Sequence, residues 1–241
     1  MTAAEANDLA TLASKYGSDK FLHGYPRWYA QHFAGLREDS MTILEIGVGG
    51  WRDPNAGGES LEMWRDYFAN SQIIGVDSSE KTLDFGDRVT IMQGNAHDPA
   101  FVAELCDRYA PFDIVIDDGS HVNSQRNTTM ELLLPHMSAT GIFVLEGLHT
   151  SYLADFYGGA WPPPDTRRDS GASQPTTEVL KELTDGLNRG YVPGRAPARF
   201  DGHIVGVSFH PKIAFLQLGP NELTIVPSDQ AAIDKQTETA Q

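Results

Sequence analysis

Five short apolar segments recur along the first 150 residues, each followed by a longer stretch of mixed character. They are MTILEIGV (41–48), SQIIGVD (71–77), RVTIMQG (88–94), FDIVIDD (112–118) and GIFVLEG (141–147). Nearly continuous apolar strands are typical of a parallel sheet that is covered on both faces. Strands that alternate with helical segments predict βαβ units. The pattern therefore indicates an α/β protein with a doubly wound, mostly parallel, Rossmann-like sheet.

The segments between these strands carry apolar residues at helical spacing. SLEMWRDYF (60–68) and NSQRNTTMELLLPHM (123–137) are two such segments. A third, DPAFVAELCDRYA (98–110), begins with Asp98 as a candidate N-cap and Pro99 at the first helical position. These helices supply the connections that parallel strands require.

The pattern changes after residue 150. Residues 151–202 are rich in Pro, Gly and Arg, and we expect them to form a lid inserted over the sheet. GHIVGVSFHPKIAFLQLG (202–219) predicts an antiparallel hairpin, which brings the sheet to seven strands. We therefore divide the chain into an N-terminal segment at 1–40, an α/β domain at 41–225 and a flexible tail at 226–241.

Composition limits the class of partner. The 241 residues carry 18 Lys and Arg against 33 Asp and Glu, for a net charge of -15. Nucleic-acid binding needs clusters of positive charge, so this class is disfavoured. No apolar run reaches the roughly 20 residues that span a bilayer, and no secretory signal is evident. One cysteine, Cys106, allows no disulfide within the chain, and we expect a cytoplasmic protein that does not bind membranes.

A glycine loop follows the first strand. In LEIGVGG, Gly47 and Gly49 allow the backbone to approach a ligand closely. A nicotinamide dinucleotide fingerprint would also need glycine at position 52, where this chain has Arg52. The form E-x-G-x-G, which begins at Glu45, resembles the loop of S-adenosylmethionine (SAM) methyltransferases. A tight turn without a ligand is the alternative.

Polar residues recur where the predicted strands end. Asp77 ends the second strand, where a carboxylate can accept both hydroxyls of a ribose. Asn95 follows the third strand, where an adenine could be bound. Because ligands of such sheets gather beyond the carboxyl ends of the strands, these positions predict one shared site.

The sequence IDDGSH (116–121) ends the fourth strand on two acids. Asp118 and Glu146 follow neighbouring strands, and two such oxygen ligands suit Mg²⁺ completed by water and substrate oxygens. His121 could take a proton from a substrate hydroxyl, or could simply be a capping or surface histidine. His149 could be a metal ligand, an orienting residue or a loop residue.

Several longer segments carry a resemblance to one family. They are YGSDK…HGYPRWYAQHF, LEIGVGGWRDPNAGGESLEMWRDYF, GVDSSEK, IDDGSH, LEGLHTSY…YGG and GHIVGVSFHPKIAFLQLG. Over residues 15–220 the chain resembles the metal-dependent sugar O-methyltransferases. These act on the deoxysugars of macrolides such as mycinamicin and tylosin, and include the mycobacterial methylmannose polysaccharide 1-O-methyltransferase.

The resemblance implies a cofactor-binding role for one set of residues. It implies that the methionine is lined by Glu45, Gly47 and Gly49 and that the ribose is held by Asp77. It also implies that the adenine is bordered by Asn95 and Ala96 and that the sulfonium lies near Asp117. The cofactor would be covered by Tyr16 and Ser18.

The resemblance also implies that Asp118 and Glu146 bind Mg²⁺ and that His121 is the general base. Relatives usually have an acid directly after the glutamate, whereas this chain has Gly147. The metal could then be held by Asp118, Glu146 and water, with Asp117 or His149 assisting. Alternatively it binds weakly or is not needed.

We therefore predict a SAM-dependent O-methyltransferase that acts on a sugar hydroxyl, with a sugar or glycoside acceptor and a homodimeric assembly. The resemblance implies that residues 1–40 form a helical cover over the cofactor and substrate and that residues 41–225 form the methyltransferase domain. Tyr152, Tyr157 and Trp161 could stack on the sugar or pack within the lid. One alternative acceptor is a catechol or another non-sugar natural product. A SAM-binding protein that has lost catalysis is a second alternative, and a nicotinamide oxidoreductase is disfavoured by Arg52.

Overall fold

A computed structural model describes residues 3–153, 174–192, 200–222, 229–230 and 235, with side chains from residue 8 onward. The sheet has seven strands in the order β3-β2-β1-β4-β5-β7-β6. They are β1 (Thr42–Ile46), β2 (Gln72–Asp77), β3 (Val89–Gln93), β4 (Phe112–Asp117), β5 (Met137–Leu145), β6 (Ile204–His210) and β7 (Ile213–Leu218). β1 to β5 pair in parallel, and β7 pairs antiparallel with both β5 and β6. The predicted doubly wound sheet with a C-terminal hairpin is confirmed.

Seven α-helices have described bounds. They are α1 (Ala3–Tyr16), α2 (Asp19–His23), α3 (Pro26–Phe33), α4 (Glu59–Tyr67), α5 (Pro99–Tyr109), α6 (Asn123–Leu133) and α7 (Thr176–Leu187). The predicted cap of α5 is present, because the Asp98 side chain accepts a hydrogen bond from the Ala100 N–H, and Pro99 begins the helix.

Two apolar cores lie on opposite faces of the sheet. On one face, Leu9, Phe33 and Trp64 of α1, α3 and α4 pack against Ile43 and Ile114 of the strands. On the other face, side chains of α5, α6 and α7 pack against the remaining strand residues. Neighbouring strand positions point to opposite faces, so both are apolar, which explains the nearly continuous apolar runs of the sequence.

β5 differs from its prediction. The apolar pattern predicts a strand from residue 141, but β5 begins at Met137. The added residues Ser138, Ala139 and Thr140 are small and partly or fully exposed, so their composition carries no strand signal. A shift of register between Phe112 and Ile114 accompanies this extension where β4 pairs with β5.

Residues 3–36 are mostly helical, and α1 packs against α3 and α4. These three helices therefore share the apolar core of one sheet face. Within the predicted lid, α7 packs against α6 and β6. Tyr157 and Trp161 lie outside the described residues, as does most of the predicted tail, so the domain limits stay a prediction. Among the described residues no helix is long and apolar enough to cross a membrane.

Candidate active site

A cleft of about 540 Å³ opens at the carboxyl ends of the central strands. β1 lies between β2 and β4 there, so the chain order reverses at this point. Open α/β sheets bind ligands at such a switch point. The cleft brings together eight of the predicted site residues, namely Gly47, Gly49, Asp77, Asn95, Ala96, Asp117, Asp118 and His121.

Gly47 is required by the geometry of the loop after β1. Its φ is +94°, and a Cβ at this position would lie 2.4 Å from the carbonyl oxygen of Asp118. Its N–H donates to the carbonyl of Val76 at 2.8 Å. Because only glycine avoids both the strain and the clash, the loop can run close beneath the ends of β2 and β4.

Asp77 is held in place by backbone N–H groups. Its carboxylate accepts hydrogen bonds from Val48 N at 3.1 Å and from Ser79 N at 2.8 Å. A carboxylate has about four lone-pair sites, so this arrangement leaves capacity for ligand hydroxyls. Asn95 and Ala96 lie on the cleft wall beyond the end of β3.

Three predicted cofactor residues are absent from the cleft wall in the described structure. Glu45 is fully buried, and its carboxylate accepts a hydrogen bond from Ser60 Oγ at 2.7 Å. The Tyr16 hydroxyl donates to Asp66. Ser18 is buried at the start of α2. Their contact with a cofactor therefore stays a prediction.

A buried lysine joins the acidic residues. The Nζ of Lys20 lies 2.7 Å from Glu146 Oε1, 3.0 Å from Glu45 Oε1 and 3.2 Å from Asp118 Oδ2. Lys20 is 1% exposed, and the Tyr29 hydroxyl also donates to Glu146. Buried charges are stable only when they are paired and hydrogen-bonded, as they are here.

The electrostatics of this cluster favour a cation. Burial by itself lowers the pKa of Lys20, but Glu146, Glu45 and Asp118 outweigh it and raise that pKa well above its ordinary value. Burial and then repulsion from Asp118 raise the pKa of the Glu146 carboxyl well above its ordinary value. The two carboxylates are therefore costly to ionise together without a positive charge between them.

Asp118 and Glu146, the predicted metal ligands, lie close enough to share one cation. Asp118 and Glu146 converge on a single positive charge, and Glu146 N donates to Asp117 O at 3.0 Å because β4 and β5 are neighbours. Across the described residues, however, no group of three or more His, Cys, Asp or Glu side chains is arranged to hold a metal. Mg²⁺ would therefore depend on two carboxylates, completed by water or acceptor oxygens, as is common for this ion.

Asp117 and His149 are the residues predicted to assist the metal. Among the described residues, neither is grouped with Asp118 and Glu146 as a metal-binding set. Burial raises the pKa of the Asp117 carboxyl to about 6, an effect that Arg126 and the Gly119 N–H oppose. His149 is exposed, in the 3₁₀ helix (Leu148–Tyr152) after β5.

His121 is held against the backbone of Gly147. A Cβ at position 147 would lie 2.7 Å from His121 Cε1 and 3.0 Å from Nδ1, so the ring occupies the space that a side chain there would need. Arg126 Nη2 lies 2.9 Å from His121 Nδ1. Since a guanidinium only donates, Nδ1 accepts and the neutral ring carries its proton on Nε2. Burial and then Arg126 lower the pKa of His121, which favours the neutral ring.

Sequence reasoning missed Lys20, Tyr29, Arg126 and Trp51. Lys20 and Tyr29 belong to the N-terminal segment, and only folding carries them to the ends of β4 and β5. Their place in the YGSDK…HGYPRWY segment was a usable signal, because it belongs to the family resemblance. Trp51 lies on the cleft wall, is 92% exposed and has a φ of +52°.

Comparison with known proteins identifies relatives for most of the chain, although no family model matches it. It is 41% identical over 92% of its length to 8-demethyl-8-alpha-L-rhamnosyl tetracenomycin-C 2'-O-methyltransferase of Streptomyces olivaceus. It is 37% identical over 91% and 92% of its length to demethylmacrocin O-methyltransferase of Streptomyces fradiae and mycinamicin VI 2''-O-methyltransferase of Micromonospora griseorubida, respectively. The chain spans only 55–58% of the length of these three relatives.

Solved structures agree with these sequence matches. A methyltransferase of the mycinamicin biosynthetic pathway, in complex with Mg and SAH (S-adenosylhomocysteine), superposes with a TM-score of 0.82 at 35% identity. That match covers 95% of this chain and 60% of the solved one. A second structure of that enzyme, with Mg, SAH and mycinamicin VI, gives a TM-score of 0.78 at 37% identity over 92% of this chain and 57% of the other. The family predicted from the sequence is thus confirmed, and the chain is a homologue of these sugar O-methyltransferases over the part of their length that it spans.

Proposed function

We propose that the chain transfers a methyl group from SAM to a hydroxyl of a sugar or glycoside. One observation carries the proposal: a single cleft contains both the glycine loop with Asp77 and the pair Asp118 and His121. The first set suits a nucleoside-type cofactor, and the second suits activation of a hydroxyl. Homology to O-methyltransferases, including one solved with Mg and SAH, supports the same activity.

In this proposal the chain positions SAM along the glycine loop. Gly47 and Gly49 would provide the close backbone approach, and Asp77 would accept the ribose hydroxyls. Asn95 and Ala96, which line the cleft, would border the adenine. The cofactor would supply a methyl group on a sulfonium and would leave as the neutral thioether SAH, so the protein's tasks are to position the acceptor oxygen and to exclude water.

Asp118 and Glu146 would hold Mg²⁺. Bound there, the ion would polarise the acceptor hydroxyl and fix its position. Asp118 is the member of the pair that reaches the cleft, because its side chain is 21% exposed whereas Glu146 is 1% exposed. The acceptor oxygen would therefore approach from the side of Asp118 and His121.

His121 would be the general base. The hydrogen bond from Arg126 engages the lone pair on Nδ1, and the proton on Nε2 prevents that nitrogen from accepting another. The ring can accept a proton only at Nδ1, so the acceptor hydroxyl must replace Arg126 there. The lowered pKa of His121 keeps the ring neutral and ready to accept.

We further propose deoxysugar glycosides as the acceptor class, with mannosides of a growing polysaccharide as the second class. The rhamnosyl and mycinamicin relatives support the former. The net charge of -15 supports an acceptor other than nucleic acid, and we propose the cytoplasm as the place of the reaction. A homodimer is the assembly we expect, and sedimentation equilibrium would measure it.

The test is titration calorimetry with SAM, repeated with Mg²⁺ and with EDTA. We expect micromolar binding, and loss of binding in Asp77→Ala. Asp107→Ala is the matched control, because Asp107 is exposed on α5 and outside the cleft. Failure to bind SAM under every condition would refute the proposal.

A transfer assay is the second experiment, with deoxysugar glycosides, methyl mannosides and catechols offered side by side. Methylation of a glycoside supports the proposed acceptor class. Methylation of catechols alone would overturn it, and SAM binding without transfer to any acceptor would favour a protein that binds the cofactor without catalysis.

A further inference from the structure

A side chain of the protein fills the space between the carboxylates of Asp118 and Glu146. The ammonium of Lys20 lies 2.7 Å from Glu146 Oε1 and 3.2 Å from Asp118 Oδ2. These are the residues to which the proposed function assigns Mg²⁺, and a role for Lys20 at this site therefore rests on that function. Lys20 arrives from α2, whereas the two acids end β4 and β5, so the fold itself builds this contact.

An ammonium and a divalent ion cannot both occupy this position. Mg²⁺ lies about 2.0–2.1 Å from its oxygen ligands, and the Lys20 nitrogen lies 2.7 Å from Glu146 Oε1, so an ion bound to that oxygen would lie at most about 4.8 Å from the ammonium. Two cations at that separation repel each other. Binding of the ion therefore requires the ammonium to move.

Glu45 offers Lys20 a place to move to. Glu45 Oε1 lies 3.0 Å from the Lys20 nitrogen, and Glu45 Oε2 is fixed by Ser60 Oγ at 2.7 Å. The Glu45 side chain is fully buried. Lys20 can therefore give up Asp118 and Glu146 and still keep one buried carboxylate as its partner, which a buried ammonium requires.

We propose that Lys20 is a resident counter-ion of the acidic site, which holds Asp118 and Glu146 together and which a divalent cation displaces toward Glu45. The carboxylate pair is then preformed without metal, with the Tyr29 hydroxyl as a further support for Glu146. The affinity for divalent cations is also lowered, because each binding event must move an ammonium away from its partners.

The first test observes Lys20 directly in the unmodified protein. Selective ¹⁵N labelling of the lysine side chains should give a distinct Nζ signal for Lys20, because burial protects its protons from exchange with water. We expect Mg²⁺ to shift this signal and to leave that of the exposed Lys15 unchanged. A Lys20 signal that does not change at saturating Mg²⁺ would overturn the proposal.

The second test measures Mn²⁺ binding by electron paramagnetic resonance in Lys20→Gln. Glutamine removes the charge but can still donate hydrogen bonds to the carboxylates. We expect Mn²⁺ affinity to rise about tenfold or more, because one nearby positive charge is gone. Lys15→Gln is the control: it removes the same charge from an exposed lysine that pairs with Asp66 at 3.2 Å, and it should leave Mn²⁺ affinity unchanged.

The melting temperature of Lys20→Gln provides an independent measurement. In EDTA, Lys20→Gln should melt below the unmodified protein, since three carboxylates lose their shared cation. Mn²⁺ should raise its melting temperature more than that of the unmodified protein. Equal Mn²⁺ affinity in the two proteins, or no Mn²⁺ binding to either, would contradict the proposal. If Lys20→Gln does not fold, the Nζ signal of the unmodified protein decides.

A SAM titration on the same proteins separates failure of the Lys20 proposal from failure of the proposed function, because SAM binding does not require Lys20 to move. If SAM binds but Mg²⁺ leaves the Lys20 signal unchanged, only the counter-ion role of Lys20 fails. If SAM does not bind while Mg²⁺ still moves Lys20, the methyltransferase proposal fails and the cation site stands.

Discussion

The two halves of the cleft are built in different ways. On the side of β1, β2 and β3, backbone N–H groups and a close glycine turn fix the geometry, as with Asp77 and Gly47. On the side of β4 and β5, side chains that are distant in sequence hold one another, as Lys20 and Tyr29 hold Glu146. The first half is therefore set by backbone groups at neighbouring strand ends, and the second depends on side chains that the N-terminal helices supply.

Gly47→Ala should break the backbone-built half and have the largest effect. The new Cβ would lie 2.4 Å from Asp118 O at a φ of +94°. We expect a loss of about 3–5 kcal/mol of folding free energy, measured by urea unfolding, and loss of SAM binding. Gly86→Ala is the control: its φ is +85° with no atom near the new Cβ, so only about 1–2 kcal/mol should be lost. Equal losses in both variants would show that the close approach is unimportant.

His121→Ala should separate the two halves by function. We expect SAM affinity to stay unchanged, since His121 lies on the β4 side of the cleft. Turnover should fall about 10²- to 10⁴-fold, the usual range for loss of a general base. Calorimetry and initial rates give both values on one preparation. Turnover at the unmodified level would remove His121 from the base role.

Asp117→Asn should remove the pH dependence of folding stability that burial of the Asp117 carboxyl causes, at the end of β4 between the two halves. Burial raises the pKa of Asp117 from 3.8 to about 6, so the folded state holds this proton more tightly than the unfolded state. The Asp117 contribution therefore favours folding at low pH, and it is lost as pH rises from 3.8 to about 6. Relative to Asp117→Asn, the unmodified protein should lose about 2–3 kcal/mol over that range, measured by urea unfolding at several pH values. Parallel pH profiles of the two proteins would contradict this.

Gly147→Ala should sharpen the comparison with the smallest effect. The new methyl would meet His121 Cε1 at 2.7 Å, and the ring can shift only by weakening its contact with Arg126. We expect turnover to fall about tenfold, equivalent to about 1.4 kcal/mol in the barrier, with unchanged SAM affinity. Gly202→Ala serves as the control, because its φ is also positive and no atom lies near the new Cβ.

Much of the fold could be predicted because the physical signal is local. The apolar runs located β1 to β4 closely, and the pair Asp98 and Pro99 located the start of α5. The predicted start of β5 is too late, because its residues Ser138, Ala139 and Thr140 belong to the strand without carrying a hydrophobic pattern. Met137, at the start of this extension, pairs with Phe112 of β4, and such pairing is not a property of the segment alone.

The sequence by itself determined the βαβ order, the glycine loop and the placement of Asp77, Asn95, Asp118 and Glu146 at strand ends. Each of these depends on a few consecutive residues, whose apolar periodicity and backbone freedom act over short distances. Only the tertiary structure decided that Lys20 lies between Asp118 and Glu146, and that His121 occupies the space beside Gly147. The cost of burying these charges is met by partners up to 126 residues away, and such pairings exist only once the sheet and the N-terminal helices have packed together.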